Sequence, residues 1–497
     1  MTLDLDLSSL LAHAPLIIFS TIFICFFIIY ITVRHLSIYT SPHHHIYLQD
    51  PYLTNSYLLN QQPAPTLKAD AKKPIPASES AWETEHGYPP LTPLAPPEFN
   101  WETAEPLVFR PFKPKYHLTM GITPCDYNDL IPMDKTYLER LKLRQELLKE
   151  YPDVVRGVDI NPEHPDAVMD ERIKDALCEW YAYVMGVYLP QRYPGIFVLI
   201  KHEDITGNEE EEKKKKKTKK ELSAGKGKGP ILKSLVTGLT APTDPKDAMK
   251  SVSSSAISET QRIKEQLLGL LDTLGTWLDE DFLILLPKPK PKPTPPSQTN
   301  PSKDQDQDSE PKYHLSAYTT YYPAGFDTRL KLGRALNEIH APVPRYESKL
   351  EKSMDRFFAR LEVGRAVVRV NWSIMTRGTG LFCAFGGLHS YNTSSGSESK
   401  GTKEVSGEED VLSPDEIDGK ETFLRCERQT LHRLPRSKAL LFGFHTYTYP
   451  LEDIKREGLG EELAVAIDGL KAGSVPEVYG YKRGEYWGEA VKGFLRA

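Results

Sequence analysis

The run Arg365-Ala-Val-Val-Arg-Val-Asn-Trp-Ser-Ile374 decides how the rest of the chain is read. Val367, Val368 and Val370 are β-branched, and such side chains suit a pleated, half-buried strand. Working outward, His314–Tyr322, Gly380–Phe385, Gln429–Leu434 and Ala439–Tyr449 also read as strands, with Ala439-Leu-Leu-Phe-Gly-Phe444 as buried-strand material. Helices are expected between and after them at Arg329–His340, Tyr346–Leu361 and Gly460–Ala472. Upstream, helical spacing covers Asp134–Tyr151, then Asp170–Leu189 up to Pro190, and a short buried strand follows at Phe197–Ile200. Apolar periodicity resumes over Ile263–Leu286, where Glu280 and Asp281 interrupt what reads as a helix. The expected class is α+β: a mostly antiparallel sheet with helices to one side.

The chain has 497 residues, 62 Lys and Arg against 68 Asp and Glu, and a net charge of -6. That balance makes no case for a nucleic-acid binder. Five scattered cysteines without CxxC spacing argue against a disulfide scaffold, a zinc site or an iron–sulfur cluster. Leu7 to Val33 carries no charged side chain, and roughly 20 apolar residues span a bilayer. Asp4 and Asp6 precede this run, so the positive leader of a signal peptide is missing. Residues 1–36 are therefore expected to be a single-pass membrane anchor with its helix at about Leu10–Val33. Arg34 just after the span places the core in the cytosol by the positive-inside rule.

Residues 37–97 read as a Pro-rich tether and 98–497 as the globular domain, interrupted by low-complexity insertions near 208–260, 288–311 and 394–420. The Lys213–Lys217 run inside the first reads as a solvated stretch. About 300 ordered residues are left, enough to bury a prosthetic group.

His340 closes the apolar face Leu332, Ala335, Leu336 and Ile339, and Pro342 stops the helix behind it. A neutral imidazole held there can ligate iron through one nitrogen and fix its tautomer through the other. A helix-terminal histidine that serves only the helix dipole is the plainer reading. No histidine pair has HExxH spacing, so spacing does not choose among the 14 histidines. Arg334, Arg345, Arg369 and Arg428 are candidate carboxylate partners, since the guanidinium fork binds both oxygens. Trp372 and Trp277 suit an apolar pocket wall or simply the core. A buried Glu280 or Asp281 needs a partner, and so can hold an amine or an imidazole N–H. An exposed helix face is the alternative for both.

The blocks Arg110-Pro-Phe112, Leu189-Pro-Gln-Arg-Tyr-Pro194, Asp279-Glu-Asp281, Lys331-Leu-Gly333, Ile339-His-Ala-Pro-Val-Pro344, Asn371-Trp372 and Glu427-Arg-Gln-Thr-Leu431 recur in order from about Trp101 to Tyr481. This ordered set resembles the haem-dependent oxidative N-demethylase alpha-subunit family, whose fungal members carry the label HRQ family. The resemblance implies a PAS-like haem b domain that oxidises a small N-methyl amine with O2 and releases formaldehyde. Electrons then come from a separate flavin and iron–sulfur reductase. Taken with the residue chemistry above, His340 is the expected iron ligand, Lys331, Arg334, Arg369 and Trp372 the expected cofactor-binding residues, and Arg428, Glu280 and Asp281 the expected catalytic groups. A haem-binding sensor without turnover and a membrane-tethered scaffold are the other readings.

Overall fold

The computed structural model describes residues 87–110, 112–160, 170–200, 229–250, 257–288, 310–376, 380–385 and 411–497. The expected membrane anchor and most of the expected tether lie outside the described residues. Among those described, no helix is long and apolar enough to cross a membrane.

The core is a seven-stranded antiparallel sheet. Its strands are β1 (Thr123–Cys125), β2 (Arg156–Val158), β6 (Asp281–Pro287), β7 (Tyr313–Thr319), β8 (Ala366–Met375), β9 (Phe423–Arg433) and β10 (Leu440–Pro450), in the order β1-β8-β9-β10-β6-β7-β2. A separate three-stranded sheet joins β3 (Phe197–Ile200), β4 (Ile231–Ser234) and β5 (Thr240–Pro242). The expected α+β class holds.

Three helices, α1 (Tyr137–Glu150), α2 (Glu171–Tyr183) and α3 (Glu259–Trp277), share an apolar cluster with Phe282, Ile284 and Leu441, which point to one face of the large sheet. Helix α3 buries Leu267, Leu270, Leu271 and Leu274, the i, i+3, i+4, i+7 pattern of a single helical face. Ser258 caps it by accepting from Gln261 N, and Asp170 caps α2 by accepting from Arg172 N. Helices α4 (Leu336–His340) and α5 (Lys352–Arg360) belong to a second cluster with Leu285, Leu315, Val367 and Leu431, on the opposite face. The C-terminal helices α6 (Gly460–Lys471) and α7 (Gly484–Arg496) extend that second cluster.

Several elements depart from the sequence reading. Pro190 does not stop α2: the chain passes through a π-turn at Val184–Tyr188 into a further turn, Leu189–Arg192, with the proline in its first positions. Proline is tolerated there because that N–H needs no helical partner. The apolar run to Leu286 is not one helix. Helix α3 ends at Trp277 and β6 begins at Asp281. Arg329–His340 breaks into a 3-10 turn, Thr328–Lys331, and α4, because Gly333 adopts φ 75° between them. Gly380–Phe385 forms no strand and only bridges Ala324 through Cys383. Within the expected 208–260 insertion, β4, β5 and a turn of helix at Pro245–Met249 are built. Residues 411–420 are also placed, with Leu412 N donating to Tyr486 O.

Candidate functional site

Residues alternate between faces along a strand. On β8 that alternation turns Val367, Arg369 and Asn371 toward α4 and α5, and on β9 it does the same for Glu427, Gln429 and Leu431. Between sheet and helices lies a cavity of about 270 Å³, walled largely by Leu283, Leu285, Leu315, Ile339 and Phe444. His340, Lys331, Arg369, Lys482 and Glu427 reach it.

His340 stands at the last turn of α4. Its Nδ1 lies 2.7 Å from Leu336 O, and a carbonyl can only accept, so Nδ1 carries the proton and Nε2 keeps a bare lone pair. The ring stacks on Tyr346 at 4.9 Å between centroids and 14° between planes, which fixes its orientation. Burial first, with help from the Lys331 and Arg369 charges, pulls its pKa down to about 4. The imidazole is therefore neutral at physiological pH.

The cations around it are costly where they stand. Burial lowers Lys331 to about 8, with its Nζ 3.6 Å from the Phe326 ring centroid. Burial likewise lowers Lys482 to about 8, although Asn371 Oδ1 at 3.1 Å and Trp372 O at 2.5 Å accept from its Nζ. Glu427 is the carboxylate among the lining residues. It accepts from Gln429 Nε2 at 3.2 Å and sits 3.6 Å from Arg425. Two lysines and an arginine against one carboxylate leave a cationic surplus in an apolar cavity, which favours a ligand with carboxylates.

The sequence-predicted set divides. His340, Lys331 and Arg369 meet in the cavity. Trp372 pairs with Cys426 on the other face, and contributes through its carbonyl and through a ring 5.5 Å from Lys482 Nζ. Arg334 is exposed beside α4, and Arg345 pairs at the surface with Glu477 at 3.0 Å. Trp277 is core. The structure also separates the three expected catalytic residues from His340. Arg428 follows Glu427 and so points to the opposite face, where its Nη2 reaches Cys125 Sγ at 3.5 Å. Asp281 pairs with Arg144 at 2.8 Å and accepts from Tyr321 N and Tyr322 N. Glu280 meets His445, with Oε2 3.3 Å from Nδ1. Neither His117 nor His314 lines the cavity. Lys482, Glu427 and Tyr346 were not singled out by sequence. Lys482 meets His340 only through tertiary contact, with no local pattern to mark it.

Among the described residues no group of three or more His, Cys, Asp or Glu is placed to hold a metal ion. A lone imidazole with a bare nitrogen suits an ion that arrives with its other ligands in place. The chemistry of the residues present fits a haem: an imidazole nitrogen that could hold iron, apolar walls and cations that could hold two propionates. Residues 121–492 match the family described as haem-dependent oxidative N-demethylase, alpha subunit-like. The match covers most of the chain, and the chain belongs to that family.

Proposed function

From that membership as premise, we propose that this chain binds haem b in the cavity and oxidises a small N-methyl amine to the demethylated amine and formaldehyde. The observation that carries the reading is the neutral, single-tautomer His340 with Nε2 bare beside Lys331 and Arg369. In this proposal His340 would hold the iron through Nε2, and Lys331, Arg369 and Lys482 would hold the propionates. The haem supplies the O2 chemistry. In the overall balance the N-methyl amine, O2, two electrons and two protons give the demethylated amine, formaldehyde and water. The electrons come from a separate flavin and iron–sulfur reductase, in line with an alpha-subunit-like chain. Leu336 O holds the His340 tautomer, Tyr346 holds its plane, and the apolar wall of Leu283, Leu315 and Phe444 keeps bulk water from the ring. A PAS-like reading of the sheet and of α4 and α5, and a cytosolic core tethered by the N-terminal apolar segment, belong to the same proposal.

The test is the absorbance spectrum of the purified full chain reconstituted with haem, followed by a formaldehyde assay with N-methyl amines, O2 and a reductase. A Soret band is expected, and His340→Ala should abolish it or shift it to an altered ligand set. Unchanged haem content and spectrum in that variant would remove His340 from the role. Haem binding without formaldehyde release would leave a haem protein that is not a demethylase.

A further inference from the structure

Behind the sheet, on the face opposite His340, Arg428 is 1 % exposed, and its Nε and Nη1 have no hydrogen-bond partner among the described residues. Its one such contact is the Cys125 thiol, which burial pushes up to about 11 and so keeps neutral. Arg428 stands directly opposite His445 on β10, and Tyr447 lies two residues along the same face. Tyr447 Oη and Glu280 Oε1 are also buried without a partner. Glu280 Oε1 lies close over Gly443, where a Cβ would approach it to 3.1 Å.

The neighbouring charges are already matched. Arg140 pairs with Asp279 at 2.5 Å, and Arg144 pairs with Asp281. His445 sits between Asp279 Oδ2 at 3.5 Å from Nε2 and Glu280 Oε2 at 3.3 Å from Nδ1. Burial keeps this imidazole neutral, so it has a single N–H. Burial also raises Glu280 well above the usual carboxylate range, against the pull of Arg428, so its carboxyl can donate to Nδ1 when the imidazole proton faces Asp279. Among the described residues no carboxylate lies within ion-pair distance of Arg428; its electrostatic neighbours are Glu280, a carboxyl whose ionisation burial opposes, and the half-exposed Asp129, a costly setting for a buried guanidinium. On the same face as its unpartnered Nε–Nη1 edge lies the buried, unpartnered Tyr447 hydroxyl, which can donate to the same anion.

We propose that Arg428 anchors a second, enclosed site for one small planar monoanion of the carboxylate type, separate from the cavity that holds His340. Two oxygens of such an anion match the parallel N–H groups of the guanidinium edge. A water molecule also fills a polar niche, but it brings no charge to balance Arg428.

The test is equilibrium dialysis of the full chain in detergent against radiolabelled formate, carried to a constant reading. One saturable equivalent per chain that persists in Arg369→Met is expected, displaced by nitrate, which has the same planar shape. Arg428→Met should weaken formate at least tenfold, whereas Arg369→Met, in the front cavity, should leave it unchanged. Tyr447→Phe, a milder change, should weaken it severalfold and decides the matter if Arg428→Met does not fold. No saturable formate, failure of nitrate to displace it, or wild-type affinity in both back-face variants overturns the proposal. Loss in Arg369→Met with retention in Arg428→Met would move the anion to the front cavity and overturn it equally. None of these outcomes depends on haem.

Discussion

On the front face of the sheet, Lys331, Arg369 and Lys482 share an apolar cavity with one carboxylate, Glu427. On the back face and beneath the adjoining loops, Arg140 and Arg144 each have their own aspartate, at 2.5 Å and 2.8 Å. Both regions bury charge, yet the second matches its two arginines with two aspartates, whereas the first holds three cations against one carboxylate. The lesson lies in the lysines. A paired buried charge contributes to the fold once both partners are present, whereas a surplus charge is carried at a cost and is explained by what it binds.

The largest expected effect tests the paired side. Arg144 is fully buried and donates to Asp281, to Gly275 O at 2.8 Å and to Glu280 O at 2.9 Å. Arg144→Met removes the cation paired with the buried Asp281, leaving it only backbone N–H donors, and should cost about 3–5 kcal/mol in denaturant unfolding. Lys331→Met in the haem-free chain should stay within about 1 kcal/mol of wild type, since it removes a cation that burial disfavours. It should also weaken haem retention. Comparable losses of stability in the two variants would erase the contrast between the faces.

The next effect is pH dependence. An unfolded histidine titrates near 6.5, whereas folded His340 titrates at about 4. Between those values the unfolded chain binds the extra proton. Stability therefore rises with pH through this window and is lost on acidification from about 6.5 to 4. His340 accounts for at most about 3 kcal/mol of that loss. His432, pulled to about 3 by burial on the back face, adds to the same acid limb. Unfolding of haem-free wild type and His340→Gln at pH 7 and pH 4 isolates the front contribution. An equally steep acid limb in the variant would place the titration elsewhere.

What could be read from the sequence follows from the range of each interaction. The leucines of α3 and the β-branched run of β8 declare themselves locally, and both elements are found, although α3 ends at Trp277, short of the apolar run's end at Leu286. Strand β6 did not, because it is buried on both faces and has no polar alternation to set a period of two against a helical period. The ordered sequence blocks agree with the family match over 121–492 and brought His340, Lys331 and Arg369 forward together. They did not separate Glu427 from Arg428. These neighbours face opposite ways, and only the register of β9 against β8 and β10 decides which one meets the cavity. Lys482 arrives from the C-terminal segment and leaves no local trace.

The smallest effect concerns the break that sets His340 in place. The apolar positions Leu332, Leu336 and Ile339 fit one continuous helix, yet Gly333 takes φ 75°, and its N–H donates to Leu315 O at 2.8 Å. That bond ties the loop to β7, and α4 starts afresh where Glu338 accepts from Ala335 N at 2.6 Å. Gly333→Ala has two problems: a left-handed backbone that alanine disfavours, and a Cβ 3.0 Å from Asp159 Oδ1. The expected cost is about 1–2 kcal/mol in global stability. The front face should feel it more than the back. If the break positions His340, the variant should lose haem faster than wild type, while formate binding behind the sheet stays the same. A variant with reduced stability but unchanged haem dissociation would show that α4 holds His340 through Leu336 and Tyr346 alone, and that the glycine serves only the turn.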